Sequence, residues 1–376
     1  MAIQAGLVGL PNVGKSTLFN ALTKAGIPAQ NYPFCTIDPH VAITEVPDER
    51  LGKLVKIFNS KKIVPSVVQF VDIAGLVKGA AQGEGLGNQF LGNIMNVDLI
   101  LHIIRCFTDS KVTHVHNEIN PLDDLEIINA ELMLKDLEST EKREEKILNS
   151  LRTAKNKNLT TLEIKELEKE KELIDKVKKA LGSAQIQEVQ NIVKKYKDQG
   201  IKTIPLLSAK KFLIIANISE DDLQNNEYKN NQHYQTLVEK FGSNKVIPIS
   251  AKIESELSQL SETEKSEMMS DLNIEGSGLN EIIKKAYQNL GLINFFTCGP
   301  QEIHSWSIPQ NTNIVQAAGT IHSDMERGFI CAEVYDCKDI FELKTEAALK
   351  NIGKIRTEGK DYTVHDGDIL LIRFNV

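Results

Sequence analysis

The sequence has few cysteines, no long apolar run and no excess of positive charge. Its five cysteines are scattered and odd in number, without a C-x-x-C pair, so the pattern indicates neither a disulfide framework nor a zinc site. No apolar run reaches the roughly 20 residues that span a membrane, and no basic segment precedes an apolar one at the start. We therefore expect an unexported, cytoplasmic protein. The net charge of −7 removes any general attraction to nucleic acid.

Short apolar segments rich in β-branched residues alternate with helical patterns over the first 250 residues. This alternation predicts an α/β fold with a mostly parallel sheet covered by helices. The predicted strands are 3–8, 67–72, 99–105, 204–207, 212–216 and 246–249.

Residues 128–200 differ in composition from the rest of the chain. Charged residues of both signs approach half of this segment, which predicts long exposed helices. Apolar residues recur at helical spacing on either side of a predicted bend at 156–158, so we expect a helical hairpin. The hairpin is either a solvated spacer or a docking arm. The apolar positions are Leu134, Leu137, Leu148 and Leu151 in one arm and Leu167, Ile174, Val177 and Leu181 in the other.

The sequence pattern changes again near residue 291. A last helical pattern over 279–290 is followed by short alternating strands, among them 329–334 and 369–374. The sequence thus predicts three domains. They are a nucleotide-binding domain from 1–127 and 201–290, an inserted hairpin at 128–200, and a small β-rich domain at 291–376.

Residues 9–16 read G-L-P-N-V-G-K-S and connect a predicted strand to a predicted helix. This spacing is that of a phosphate-binding loop. Gly9 and Gly14 let the backbone turn its N–H groups inward, and the helix N-terminus adds a positive end. Lys15 is expected to reach the β- and γ-phosphates, and the Ser16 hydroxyl to bind Mg²⁺.

The segment Asp72-Ile73-Ala74-Gly75 ends the second predicted strand. A carboxylate there suits the Mg²⁺ shell, and the Gly75 N–H suits the γ-phosphate. Thr36 is the best-placed candidate for a second hydroxyl on Mg²⁺. Leu76 stands where Ras-type proteins have a glutamine, and it cannot hydrogen-bond to water. Hydrolysis must therefore recruit another group.

Base choice is expected at Asn217-Ile218-Ser219-Glu220, which follows another predicted strand. GTPases usually have N-K-x-D at this place, whereas here Ile218 replaces the lysine and Glu220 is one methylene longer than aspartate. Backbone groups near Ile218 match the edge of adenine, so we expect ATP to be preferred over GTP. The segment Ile249-Ser250-Ala251-Lys252 follows another predicted strand and resembles the loop whose backbone also borders the base, so Ser250 is a further candidate contact.

Taken together, these motifs resemble the YchF family, the Obg-related P-loop ATPases. The resemblance covers essentially the whole chain and implies a nucleotide domain interrupted by a coiled-coil hairpin and followed by a ubiquitin-like (β-grasp) TGS domain. It also implies ATP hydrolysis and binding to the ribosome, mainly to its large subunit. The motifs that carry it are residues 9–16, 31–36, 72–80, 83–91 and 217–220, the segment from Gly359 to Asp368, and R-F-N-V at the end of the sequence.

The resemblance also assigns individual roles. Family members replace the catalytic glutamine with a hydrophobic residue, and a histidine on a loop is the proposed substitute. The matching residue is His114, with His116 close enough to compete. Asn12 resembles the asparagine that lets related hydrolases use K⁺. Val13 and Thr17 complete the expected nucleotide contacts.

His304 and Cys331 stand where the family usually has arginine, which indicates a less basic TGS surface. Two other functions remain open: a GTPase with relaxed base specificity, and a ribosome-binding module whose slow hydrolysis is incidental. Neither a membrane nor sequence-specific DNA is expected as a partner.

Overall fold

The structure, a computed structural model, describes seven stretches of the chain. These are residues 3–26, 40–73, 97–109, 118–154, 159–201, 203–274 and 276–375. The chain forms two compact units. The first comprises Met1–Ala5, Phe19–Phe70 and Glu254–Val376, and the second comprises Gly6–Leu18 and Val71–Ile253. The boundaries predicted after residues 127, 200 and 290 remain a prediction about domains.

Strands and helices alternate along the described stretches. The strands are β1 (Ile3–Val8), β2 (Val41–Glu45), β3 (Lys62–Val64), β4 (Val67–Asp72), β5 (Leu99–Arg105), β6 (Lys211–Asn217), β7 (Val246–Ile249), β8 (Leu292–Cys298), β9 (Glu302–Pro309), β10 (Phe329–Asp336), β11 (Arg356–Glu358) and β12 (Asp368–Phe374). The α-helices are α1 (Lys15–Ala25), α2 (Glu49–Phe58), α3 (Pro121–Arg152), α4 (Thr161–Gly182), α5 (Ile186–Asp198), α6 (Glu220–Leu223), α7 (Gln232–Phe241), α8 (Ala251–Leu257), α9 (Glu262–Asp271), α10 (Gly278–Leu290), α11 (Ile314–Ile321), α12 (Ser323–Arg327), α13 (Cys337–Leu343) and α14 (Glu346–Asn351).

The first sheet has the strand order β2-β4-β1-β5-β6-β7. Strands β5, β6 and β7 are parallel, and their register places Arg105 opposite Asn217 and Asn217 opposite Ile249. Strand β5 is buried along its whole length, as expected for a strand covered on both faces. The three strands end at the same edge, so the loops that follow them meet there. Open α/β sheets bind their ligands at this edge.

The strand predicted at 204–207 is wrong. Leu206 and Leu207 are buried as their apolar character suggests, but they belong to the irregular connection that enters β6. The Leu207 N–H donates to the Asp136 carboxylate at 2.7 Å rather than to a neighbouring strand. Burial alone therefore does not distinguish a strand from a well-anchored loop.

Helices α3 and α4 form the predicted helical pair. Met133 packs with Leu173, Val177 and Leu181 in one apolar cluster, and Arg143 donates to Glu170 across the pair at 2.7 Å. Leu134 is an exception to the predicted apolar stripe, since it is 57% exposed. Helix α3 begins at Pro121, seven residues before the predicted start of the hairpin. The predicted bend at 156–158 lies outside the described residues.

The second sheet has the order β11-β10-β12-β8-β9-β3 and forms the β-grasp part of the chain. Its hairpins β8/β9 and β10/β12 are antiparallel, while β12 pairs with β8 in parallel. Helix α11 covers one face, where Ile314 and Ala317 join Phe295 in an apolar cluster. On the other face, Leu54 of α2 packs with Phe296. Residues from both ends of the sequence therefore build this sheet.

Candidate functional site

The turn between β1 and α1 has the backbone geometry of a phosphate-binding loop. Asn12 has a φ of 63° and Gly14 a φ of 92°, both in the left-handed region. A Cβ at Gly14 would lie 2.3 Å from the Asn217 amide nitrogen, and a Cβ at Gly9 would lie 2.7 Å from the Ile103 carbonyl oxygen. Glycine is therefore required at both positions. The turn leads into the N-terminus of an eleven-residue helix, a favourable place for an anion.

Lys15 and Asp72 meet at the carboxyl edge of the sheet. The Lys15 ammonium group donates a hydrogen bond to Asp72 Oδ1, and both side chains are largely buried. Ser16 and Thr17 follow Lys15 in the first turn of α1 and are exposed. A cation and a carboxylate thus meet beside the phosphate loop, and a hydroxyl residue follows the cation in the sequence, which suits a Mg²⁺-nucleotide site.

Asn217 links three parts of this edge. Its side chain is 4% exposed and donates from Nδ2 to the Val13 carbonyl oxygen at 2.8 Å. Its Oδ1 accepts from the Ala251 N–H at 3.0 Å. Both ends of the amide are therefore used within the protein, and they hold the phosphate loop, the end of β6 and the start of α8 together.

The residues predicted to read the base lie on two adjacent loops. Ile218 is buried and donates its N–H to the Ile249 carbonyl oxygen at 2.9 Å, and Ser250 is also buried. Glu220 begins α6, and its carboxylate accepts from Lys252 at 2.6 Å. The sequence prediction included Lys252 in the segment that borders the base but gave its side chain no role.

Comparison with protein families identifies two matching models. Residues 292–375 match YchF-GTPase_C, described as "Protein of unknown function (DUF933)", and residues 4–148 match the model described as "50S ribosome-binding GTPase". Over the full length of both proteins, the chain is 46% identical to the ribosome-binding ATPase YchF of Bacillus subtilis. The chain belongs to the YchF family.

Further similarities agree with this membership. The chain is 42% identical over its full length to the ribosome-binding ATPase YchF of Escherichia coli O157:H7. Among solved structures it resembles the YchF GTPase of Schizosaccharomyces pombe, with a TM-score of 0.80 and 38% identity over 99% of this chain and 97% of that one. The YchF fold predicted from the sequence is confirmed.

Several YchF-type site predictions lie outside the described residues. They are Thr36, Gly75, Leu76, His114 and His116. Within the described stretches, no group of three or more His, Cys, Asp or Glu side chains is arranged to hold a metal ion. No helix in those stretches is long and apolar enough to cross a membrane.

Arg105 is a further buried charge near the site that the sequence prediction missed. Its guanidinium donates to the Phe107 carbonyl oxygen at 3.1 Å and to the Asp109 carbonyl oxygen at 3.3 Å, and it lies 4.5 Å from the centre of the Phe107 ring. Arg105 therefore fixes the course of the chain as it leaves β5. Burial raises the pKa of the adjacent Cys106 thiol, which favours an unreactive, protonated side chain.

Proposed function

We propose that this chain is a ribosome-associated P-loop ATPase that hydrolyses ATP to ADP and phosphate in preference to GTP. The phosphate loop at 9–16, with Lys15 in contact with Asp72, is the observation that carries the proposal. The full-length relatives named ribosome-binding ATPase support both the reaction and the partner. The family description "50S ribosome-binding GTPase" supports the large subunit as the docking site.

The geometry of the loop supports the proposed phosphate contacts. We expect the backbone N–H groups of residues 12–17 to surround the phosphates, with the Lys15 ammonium on the β- and γ-phosphates. The contact between Lys15 and Asp72 supports this role, because it places the ammonium beside the carboxylate expected to serve the metal. Gly75 is proposed to contact the γ-phosphate through its N–H.

Mg²⁺ is the proposed cofactor, held by Ser16, Thr36 and Asp72. Hydroxyl and carboxylate oxygens are the ligands that this hard cation prefers. Ser16 follows Lys15 in the sequence, and the Asp72 carboxylate contacts the Lys15 ammonium group. When bound, Mg²⁺ neutralises charge on the phosphates. K⁺ is a proposed supplementary cation through Asn12, and K⁺-dependent turnover that an Asn12→Ala variant loses would support this role.

His114 is proposed to orient or deprotonate the attacking water, because Leu76 cannot do so. Alanine substitution of His114 and of His116, one at a time, tests the assignment. We expect His114→Ala to lower the turnover number while ATP affinity is retained. If neither variant slows turnover, another group positions the water.

Purified full-length protein tests the reaction directly. We expect phosphate release from ATP with Mg²⁺ to exceed release from GTP, and Lys15→Ala to lower it by at least about 100-fold, since a charge that stabilises the transition state is lost. Clearly tighter binding of GTP would favour the alternative of a GTPase with relaxed base specificity. Proposed contacts of the base are Asn217, Ile218, Glu220 and Ser250.

Co-sedimentation with ribosomes and with isolated large subunits, under ATP, ADP and no nucleotide, tests the partner. We expect the bound fraction to change with the nucleotide. Equal binding in all three states would favour a ribosome-binding module with incidental hydrolysis. We expect neither a membrane nor sequence-specific DNA as a partner. Vesicles and random DNA fragments therefore serve as negative controls in the same assay.

A further inference from the structure

Two charged side chains lie on the loops proposed to border the nucleotide base. Lys252 Nζ donates to Glu220 Oε2 at 2.6 Å, and the side chains are 65% and 40% exposed, respectively. We propose that Lys252 determines base specificity by engaging the Glu220 carboxylate and so weakening the binding of GTP relative to ATP. The inference rests on the proposed function, since it concerns base choice at the same nucleotide site.

The pairing is set by the protein backbone rather than by the ion pair alone. The Ile218 N–H donates to the Ile249 carbonyl oxygen, and the Ala251 N–H donates to the Asn217 side chain. These bonds tie the end of β6 to the end of β7. Glu220 and Lys252 therefore face each other because each lies a short distance beyond a fixed strand end.

The neighbouring side chains on these loops face the protein interior. Asn217, Ile218, Ser250 and Ala251 are buried. Ser219 uses its hydroxyl to accept from the Asp222 N–H and so caps α6. Glu220 and Lys252 bring polar groups from these loops to the surface, as does the exposed Asp221, but Glu220 is the carboxylate that pairs with Lys252.

The chemistry of the two bases explains the direction of the effect. Guanine presents the N1–H and the 2-amino group side by side, and a free carboxylate accepts from both with its two oxygens. Lys252 occupies one Glu220 oxygen and neutralises the charge. Adenine has no such pair of donors, because its N1 is an acceptor. Lys252 therefore weakens the binding of GTP more than the binding of ATP. Base specificity is the difference between these two binding free energies.

The test is calorimetric titration of the full-length protein with ATP and with GTP in the presence of Mg²⁺. In Lys252→Met, which keeps the apolar stem, we expect GTP affinity to rise about fivefold, the size expected for an exposed ion pair. ATP affinity should change less than about twofold. Lys252→Arg should keep the wild-type ratio. The matched control is Lys240→Met, because Lys240 forms a comparable exposed pair with Glu126 at 3.1 Å.

A second background shows whether Lys252 acts through Glu220. In Glu220→Gln, adding Lys252→Met should leave the ratio of GTP to ATP affinity unchanged. An unaltered ratio in Lys252→Met alone, or an equal change in both backgrounds, overturns the proposal. Failure of the proposed function gives a different result, namely a wild-type protein that binds neither nucleotide or hydrolyses neither.

Discussion

On the phosphate side of the candidate site, Gly14 has a φ of 92° and packs against the buried Asn217 amide. On the proposed base side, Glu220 and Lys252 meet at the surface, where both side chains contact solvent. The first arrangement depends on backbone geometry and close packing, and the second on two solvent-exposed side chains. We therefore expect the class of ligand to be hard to change by substitution and the choice of base to be easy to change.

The largest effect is expected from a methyl group added on the phosphate side, and the absence of this effect would contradict the difference between the two sides. In Gly14→Ala, the Cβ would lie 2.3 Å from the Asn217 amide nitrogen at a backbone angle that alanine rarely adopts. We expect ATP affinity to fall at least about 100-fold, roughly 3 kcal/mol, because the loop must rearrange. Titration calorimetry measures this loss. Gly52→Ala is the control, since nothing lies within 4 Å of its Cβ.

A second test concerns the entry to β6, on which both sides depend. The buried Asp136 carboxylate accepts from the N–H groups of Leu207 and Ser208 at 2.7 and 2.8 Å, and also from the Ser208 hydroxyl. In Asp136→Ala these donors lose their partner, so we expect the free energy of unfolding to drop by about 3 kcal/mol. Chemical denaturation measures the drop. A loss below about 1 kcal/mol would show that the connection repacks without the carboxylate.

Asn217→Asp separates the two sides of the site. Aspartate still accepts from the Ala251 N–H, but it cannot donate to the Val13 carbonyl oxygen. We expect a loss of about 2 kcal/mol in the free energy of unfolding. The affinity for ATP and for GTP should fall by the same factor, because the phosphate side is disturbed. A change in the ratio of the two affinities would show that Asn217 also reads the base.

The smallest effect concerns His102 in β5. Burial lowers the pKa of its imidazole from 6.5 to about 4, and among the described residues its Nδ1 has no hydrogen-bond partner. The unfolded chain therefore binds this proton first as the pH falls from about 6.5 towards 4, and the folded state loses stability across that window. Between pH 6.5 and 5.5 the loss attributable to His102 is about 1 kcal/mol.

His102→Leu should remove this contribution. Denaturation of both proteins at a series of pH values gives the difference directly, and the variant should gain stability relative to wild type as the pH falls. If the two curves run parallel, His102 binds its proton equally well in the folded and unfolded states. The affinity of His102→Leu for ATP should equal that of the wild type, since His102 is buried inside the sheet and is not among the proposed nucleotide contacts.

Local patterns in the sequence determine most of the fold and the phosphate side. The phosphate loop, Asp72, the helical pair and strand β10 each follow from spacing or periodicity within a few residues. Strands β2 and β3 were missed: β3 has only three residues and depends on pairing with β9, far away in the sequence. Its motif makes Asn217 a candidate site residue, but its bonds to Val13 and Ala251 are tertiary contacts that no local pattern contains.

The pairing of β3 with β9 determines where the molecule can be cut. Lys62 and Val64 align with Glu302 and His304, and the Ser66 hydroxyl donates to the Ser305 carbonyl oxygen at 2.9 Å. A fragment that starts at residue 291 would expose the edge of β9 and uncover the apolar surface beneath α2. Such an edge invites pairing with another copy, and hence aggregation. A soluble β-grasp fragment must therefore carry residues 46–66 as well, joined to it by an engineered linker.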